Sequence, residues 1–476
     1  MTGKPDSRLL ITVPALVLLI LGLVLILRPA DMSYLDLLRQ GDEHAARVER
    51  AAAVAAYQEA ACLRPGDPAP HLLLAQVYLE WGRTDDALAA VAEAERLSAG
   101  KAETEGLAAD LERLRVAIHA TRADWAAVVE HAQRLLTLTP ADPDTRHALA
   151  RAYVELQEWD AAQAEYEALL VADPADRVAH ERLGMLLLGD ATGAIQHLSA
   201  AQTGLANRLL AALQQTGAVD DPAYAGALVG RVLFEAQEWV LAARELERAL
   251  SYNPDYPDAH AYLGHALDHK GCPDEAWPHL QRAVALAPDS VVAHTFLGLH
   301  YDRLGEFSAA RAEYETAYDL DPTNPATCVE IGQTWAAEGR YLAAEIWLVE
   351  AVSLQPQDAT LWAVLARFYL DHNITAVGQV VEATAELVQL SPDDARAHDL
   401  RGWAAFQIGD YHTAQDSLQQ AISLDPTFAL AHYHLGRLWS AQGAHRKARE
   451  AFVRALDLDT TGELVPLVEQ AMGKFP

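Results

Sequence analysis

The sequence predicts an all-α solenoid of antiparallel helix pairs, preceded by one transmembrane helix. Three observations carry this. Pro254, Pro288, Pro322 and Pro356 stand 34 residues apart. Gly264, Gly298 and Gly332 keep step with them, as do Ala276, Ala310 and Ala344. Near the N-terminus, Leu9–Leu27 is a run of 19 residues without a charge. A fixed period of this length marks stacked helix pairs, each packing only on its neighbours.

The bulk numbers agree. A chain of 476 residues exceeds one ordinary core, a limit that a stack of repeats escapes. With 51% apolar residues it is a folding sequence. The net charge of −31 argues against nucleic acid, whose phosphates need a basic face. Such acidity suits a solvated exterior and also suits attraction to a basic partner. Cys62, Cys272 and Cys328 are odd in number and far apart, as expected of small buried or half-buried residues. Neither a disulfide framework nor a metal site is suggested. No nucleotide-binding or hydrolase motif occurs, so no cofactor and no catalysis are expected.

Taken in order, residues 1–8 form a short tail bearing Lys4 and Arg8. Residues 9–27 would span ~28 Å as a helix, close to a hydrocarbon core of ~30 Å. Arg28-Pro29-Ala30-Asp31 follows directly, which fits cleavage as a signal peptide poorly and fits an uncleaved anchor. A short basic tail commonly stays in the cytoplasm, which places the solenoid outside. Residues 34–204 read as an N-terminal array of about five repeats, the last degenerate. Residues 205–222 read as an irregular helix and loop joining the arrays. Residues 223–462 give about seven further repeats, and 463–476 a capping helix that covers the last apolar face.

Residues 291–324 show the local logic. His294, Leu297, Gly298 and Tyr301 lie on one helical face. Gly305 ends that helix in the left-handed conformation. Phe307, Ala310, Tyr314 and Ala317 form the face of a second helix, which Pro322 stops. Gly298 and Ala310 are small where the helices of a pair cross, and Tyr301 and Tyr314 fill the space between pairs.

Counting each repeat from place 1, the pattern has a bulky residue at place 4, Leu at 7, Gly or Ala at 8, an aromatic at 11, Ala at 20 and 27, and Pro at 32. It resembles the tetratricopeptide repeat (TPR) over residues 34–462. The resemblance implies a right-handed superhelix whose first helices line a concave groove at places 2, 5, 9, 12 and 13. It further implies a protein or peptide partner. Six place-4 histidines, His71, His180, His260, His294, His398 and His432, lie a whole repeat apart and read as packing residues, not metal ligands. Trp125, Trp159, Trp239, Phe307, Tyr341 and Tyr411 open the second helix of their pairs and read as core.

Place 9 carries the candidate groove residues Arg151, Arg231, His265, Arg367, Trp403 and Arg437. Glu165, Glu245 and Glu313 at place 23, with Glu167, Glu247 and Glu315 at place 25, put acid on the convex back. Arg forks match carboxylates, so a partner segment with acidic groups is one reading. Pairing of these Arg residues with Glu155, Glu235 and Asp371 is the other. The chaperone-tail clamp of the family needs Asn at place 9, which this chain lacks. The expected function is a membrane-anchored scaffold or adaptor that grips a partner segment, in assembly of an envelope complex. The alternative is a regulatory or substrate-presenting subunit of a separately encoded enzyme such as a transferase or polymerase.

Overall fold

The computed structural model describes residues 34–99, 105–217, 221–372 and 377–473. These contain twenty-six α-helices and no strand. Segment Leu9–Leu27 lies outside the described residues. Among the described residues no helix is long and apolar enough to cross a membrane.

Each repeat is a pair of 10–17-residue helices with a sequence-encoded start, bend and stop. Many first helices begin on a side-chain cap at the end of the preceding repeat. Asp142, Asp176, Ser290, Asn324, Asp358 and Asp394 each accept a hydrogen bond from a first-turn N–H. This satisfies donors that a helix start leaves open. The bend within a pair is left-handed at place 15: Gly82, Gly271, Gly305, Gly339, Gly409 and Gly443 have φ between 73° and 84°. Val48, Ala123, Gln157 and Gln237 adopt the same bend without glycine, at φ of 54–62°.

Packing within a pair turns on place 8 against place 24. A Cβ added to Gly298 would lie 2.4 Å from the Tyr314 ring, and one on Gly264 would lie 2.6 Å from Leu280 Cγ. Gly230 with Leu246, Gly332 with Leu348 and Gly402 with Leu418 repeat the arrangement. Tyr314 therefore fills the space inside its own pair and also reaches Ile331 of the next.

The place-4 residues staple consecutive repeats. Nε2–H of His180, His260, His294, His398 and His432 donates to the carbonyl of Pro174, Pro254, Pro288, Pro392 and Pro426, at 2.8–3.1 Å. Trp362 does the same to Pro356 with its indole N–H, at 2.9 Å. A ring N–H at the right height makes this bond, and both residue types supply it.

The contacts divide the chain into two compact units. One holds the residues up to Pro140 together with Asp425–Pro476, so the first three helix pairs and the last pair belong to one body. Inside it, Trp81 Nε1–H donates to Leu456 O at 2.9 Å, and Ala51 N–H to the Asp457 carboxylate at 2.8 Å. Arg50 donates to Asp457 O, and Arg454 to Arg47 O and Val48 O. Helix Leu464–Met472 lays Leu464, Val468 and Ala471 on Tyr433, Ala448 and Phe452 of the last pair. Leu467 faces solvent.

The other unit, Ala141–Leu424, holds eight pairs and one extra helix, Gly204–Gly217. One cluster of buried side chains runs from Ala150 through Leu183, Leu198 and Leu209 to Leu233 and Ala242. The core thus continues across the irregular stretch. Arg182 bonds Glu238 at 2.7 Å, and Arg244 lies over the Trp159 ring and reaches Met185 O.

Three expectations need correction. Tyr341 and Tyr411, read as core, are exposed at 39% and 41%. Cys62 is exposed, while Cys272 is half-buried and Cys328 buried. The place-23 acids are not on a solvated back: Glu165 bonds Arg146 at 2.6 Å, Glu313 bonds His294 at 2.6 Å, and Glu245 is buried against Arg244 and Arg248. Place 23 of the second helix faces place 4 of the first, so charge there is paired inside the repeat. Only the place-25 acids Glu167, Glu247 and Glu315 are exposed.

Candidate functional site

The first helices of the Ala141–Leu424 unit present a continuous face, and its character changes along the stack. It begins aromatic. Phe234 at place 12 meets Tyr262 at place 6 of the next pair edge-on, with centroids 5.0 Å apart. Phe296 packs on both. His265 stacks on Phe296 at 4.4 Å, and Trp239 stacks on His269 at 4.1 Å. Side chains three and four apart on one helix, repeated from helix to helix, bring these rings together.

Farther along, a cleft of about 530 Å³ opens between helices Pro325–Ala337 and Ala359–Asp371. Gln333, Ala336 and Ala337 line one wall; Thr360, Ala363, Val364, Arg367, Phe368, Asp371 and His372 line the other. Leu348, from a second helix, also contributes to the lining. Most lie at places 2, 5, 9, 12 and 13, the inward places of the repeat. The cleft has room because Ala336 stands at place 12, where other repeats carry Phe234 and Phe406, and Ala363 at place 5 is also small. His372 is held at its edge by stacking on Tyr341 at 4.4 Å.

The six candidate residues have unlike fates. Arg367 is exposed on the cleft wall and makes no ion pair among the described residues. Arg231 lies 3.8 Å from Glu235, which Arg208 also holds at 2.5 Å. Arg151 is exposed beside Glu155, whose carboxyl is pushed up by burial and partly drawn back by Arg151. Trp403 is half-buried and stacks on Phe406 at 4.9 Å. Arg437 donates to the Tyr433 hydroxyl at 2.7 Å and belongs to the unit that holds both chain ends.

His265 is buried, and its Nδ1 has no partner. Burial above all, with His269 and Arg303 nearby, lowers its pKa to about 3. It is a neutral packing ring between Phe234 and Phe296, so a partner cannot reach it. Place 9 faces outward from the stack only where the neighbouring first helices leave room.

Family models of the tetratricopeptide repeat match residues 147–208, 230–291, 271–325 and 400–463, and a second such model matches 303–368. Together these spans cover more than half of the chain. The chain is a tetratricopeptide-repeat protein. It is 30% identical over 88 residues to small glutamine-rich tetratricopeptide repeat-containing protein 2 of Mycosarcoma maydis, covering 18% of this chain and 25% of that protein. It is 28% identical over 91 residues to a protein O-mannosyl-transferase of Caenorhabditis elegans, covering 19% of this chain and 13% of that protein. The matches thus span a quarter or less of these relatives. Among solved structures, yeast Tom70 is 14% identical, with 93% of this chain and 96% of that chain covered and a TM-score of 0.41. YrrB, described as a TPR protein with an unusual peptide-binding site, is 17% identical, with 40% and 96% covered and a TM-score of 0.33.

Proposed function

We propose that this chain is a non-catalytic scaffold that holds an extended segment of a partner protein along the first-helix face of residues 223–407. The observation that carries it is the cleft around Arg367. It has an apolar floor of Ala336, Ala363, Val364 and Phe368 and a polar rim of Gln333, Thr360, Arg367 and Asp371. A concave site of mostly apolar lining with few polar groups is what a bound side chain or short segment needs. Exposed Arg367, which makes no ion pair among the described residues, supplies a guanidinium fork for a carboxylate of that segment. Leu9–Leu27 tethers the scaffold to a membrane, with the repeats on the outer side, in assembly of an envelope complex.

The test places a photocrosslinking amino acid at position 363 of the full chain in its native membranes. A control carries it at Ile346, an exposed residue of second helix Tyr341–Leu354. The expected result is one protein captured from position 363 and not from 346, with capture weakened about tenfold by Arg367→Glu. Equal capture at both positions, or capture indifferent to the charge at 367, would overturn the groove reading. Alkaline extraction of the full chain against one lacking residues 1–33 tests the tether: only the full chain should stay with the membrane.

The match to a protein O-mannosyl-transferase favours one second reading, a subunit that presents substrate to a separately encoded transferase. The same crosslinking separates the two, since the captured protein would then be that enzyme or its substrate.

A further inference from the structure

Place 6 of the first helix is apolar or aromatic in the neighbouring pairs: Leu228, Tyr262 and Phe296 precede, and Val364 and Leu400 follow. In helix Pro325–Ala337 it is Glu330. The group facing place 6 is place 12 of the preceding first helix, as Phe234 with Tyr262 demonstrates. For Glu330 that residue is Asp302. Where two rings meet lower in the stack, the register here sets two carboxylates opposite each other. Asp268, also an acid at place 12, has its charge answered by His300 Nδ1 at 2.9 and 3.0 Å, both groups buried. Asp302 and Glu330 have no hydrogen-bond or ion-pair partner among the described side chains.

A second observation points to the same place. Tyr314 is completely buried, yet its hydroxyl has no hydrogen-bond partner. Its ring lies against Gly298, one helical turn before Asp302, and packs on Ile331, next to Glu330. The phenol oxygen interacts electrostatically with both carboxylates. An orphaned buried hydroxyl beside two unanswered carboxylates is a costly arrangement unless something completes it.

We propose that Asp302 and Glu330, set over the buried Tyr314 hydroxyl, form a recess on the first-helix face that takes one basic side chain, Lys or Arg, of the partner segment. This rests on the reading of that face as the binding surface. A guanidinium or ammonium brings several N–H donors and no acceptor, matching two carboxylates that only accept. A chain of net charge −31 also attracts a basic segment over distance. The bound segment then alternates in charge, basic at this recess and acidic at Arg367.

Burial, with Asp302 close by, pushes the Glu330 carboxyl up to about 7, and burial raises Asp302 as well. Other charged groups nearby are turned elsewhere. Arg303 ends on His269 Nε2 at 2.8 Å, Arg311 pairs with Glu338 over the Trp335 ring, and Glu350 faces Tyr318 and Cys328. A bound cation favours the ionised carboxylate, so binding releases a proton near neutral pH and weakens as pH falls below 7.

The experiment uses the full chain and three fluorescent nine-residue peptides of Gly, Ala and Ser with Arg, citrulline or Glu at the centre. Anisotropy at pH 8 should show the Arg peptide bound about tenfold tighter than the citrulline peptide, with Glu weakest. The advantage should shrink at pH 6. Glu330→Gln and Asp302→Asn should each remove most of it, with thermal melts showing both variants folded. Equal binding of Arg and citrulline, no binding of the Arg peptide up to millimolar concentration, or indifference to Glu330→Gln would overturn the proposal. Tight binding of Ca²⁺ alone, abolished by the same substitutions, would overturn it too, in favour of a metal. A chain that still crosslinks its partner at position 363 but shows no Arg preference loses the recess and keeps the groove. Arg-dependent binding without crosslinking at 363 does the reverse.

Discussion

A non-glycine residue at positive φ carries a Cβ clash of roughly 1–2 kcal/mol, and four repeats accept one at place 15. Val48 at φ 57° is the most strained, since β-branched side chains fit that region worst. Where Gly305 stands, the bend was legible from the glycine alone. At Gln157 and Gln237 nothing in the residue announces it; the packed helices on either side impose it. Val48→Gly should therefore stabilise the protein by about 0.5–1 kcal/mol, the Cβ relief less the entropy of an added glycine. Denaturant melts check this, and an unchanged or lower midpoint would show that the bend is unstrained. His265 teaches the complementary lesson. Its place in the repeat suggested the groove, but Phe234 and Phe296 close over it, and which neighbours are large enough to do so is a matter of three-dimensional packing.

At the scale of the helix pair, the period itself carried the fold: starts, bends and stops recur because each pair solves the same packing problem. The tightest part is place 8 under place 24. Gly298→Ala would drive a methyl to 2.4 Å from the Tyr314 ring, and a fully buried ring has nowhere to move. The cost should be about 1–3 kcal/mol, that of an overfilled core. Gly305→Ala differs, since open space surrounds Gly305 and only the backbone objects, at about 1 kcal/mol. Thermal melts of the two variants should rank in that order; the reverse order would mean the pair can spread. The cleft belongs to this scale too. Arg367 could be placed in it by register, and its width follows from Ala336 and Ala363. The acid pair Asp302–Glu330 joins two repeats, so no pattern within a single repeat contains it.

At the scale of the chain, the contact between its first and last repeats left no trace in the period, because residues some 400 apart share no pattern. It is nonetheless specific. Gly82, already at φ 74°, has the Thr460 carbonyl where its Cβ would be, at 1.9 Å. Asp457 is the buried carboxyl at the centre, accepting from Ala51 N–H with Arg50 and Arg454 near. Burial raises its pKa to about 6, and those partners offset only part of the shift. A folded-state value above the ordinary 3.8 means the protonated form is the better fit. The stability Asp457 contributes is thus full below pH 3.8 and lost as pH rises through about 6. Asp457→Asn keeps an acceptor for Ala51 and has no charge to bury. It should be more stable than the parent above pH 6 by about 2–3 kcal/mol, the gap closing toward pH 4. Other carboxylates titrate in the same range, so the quantity to follow is the difference between the two proteins. Hydrogen exchange at Ala51 and Trp81 would place that difference at the chain-end contact. A gap that is constant with pH, or that opens toward acid, would mean that Arg50 and Arg454 hold Asp457 ionised.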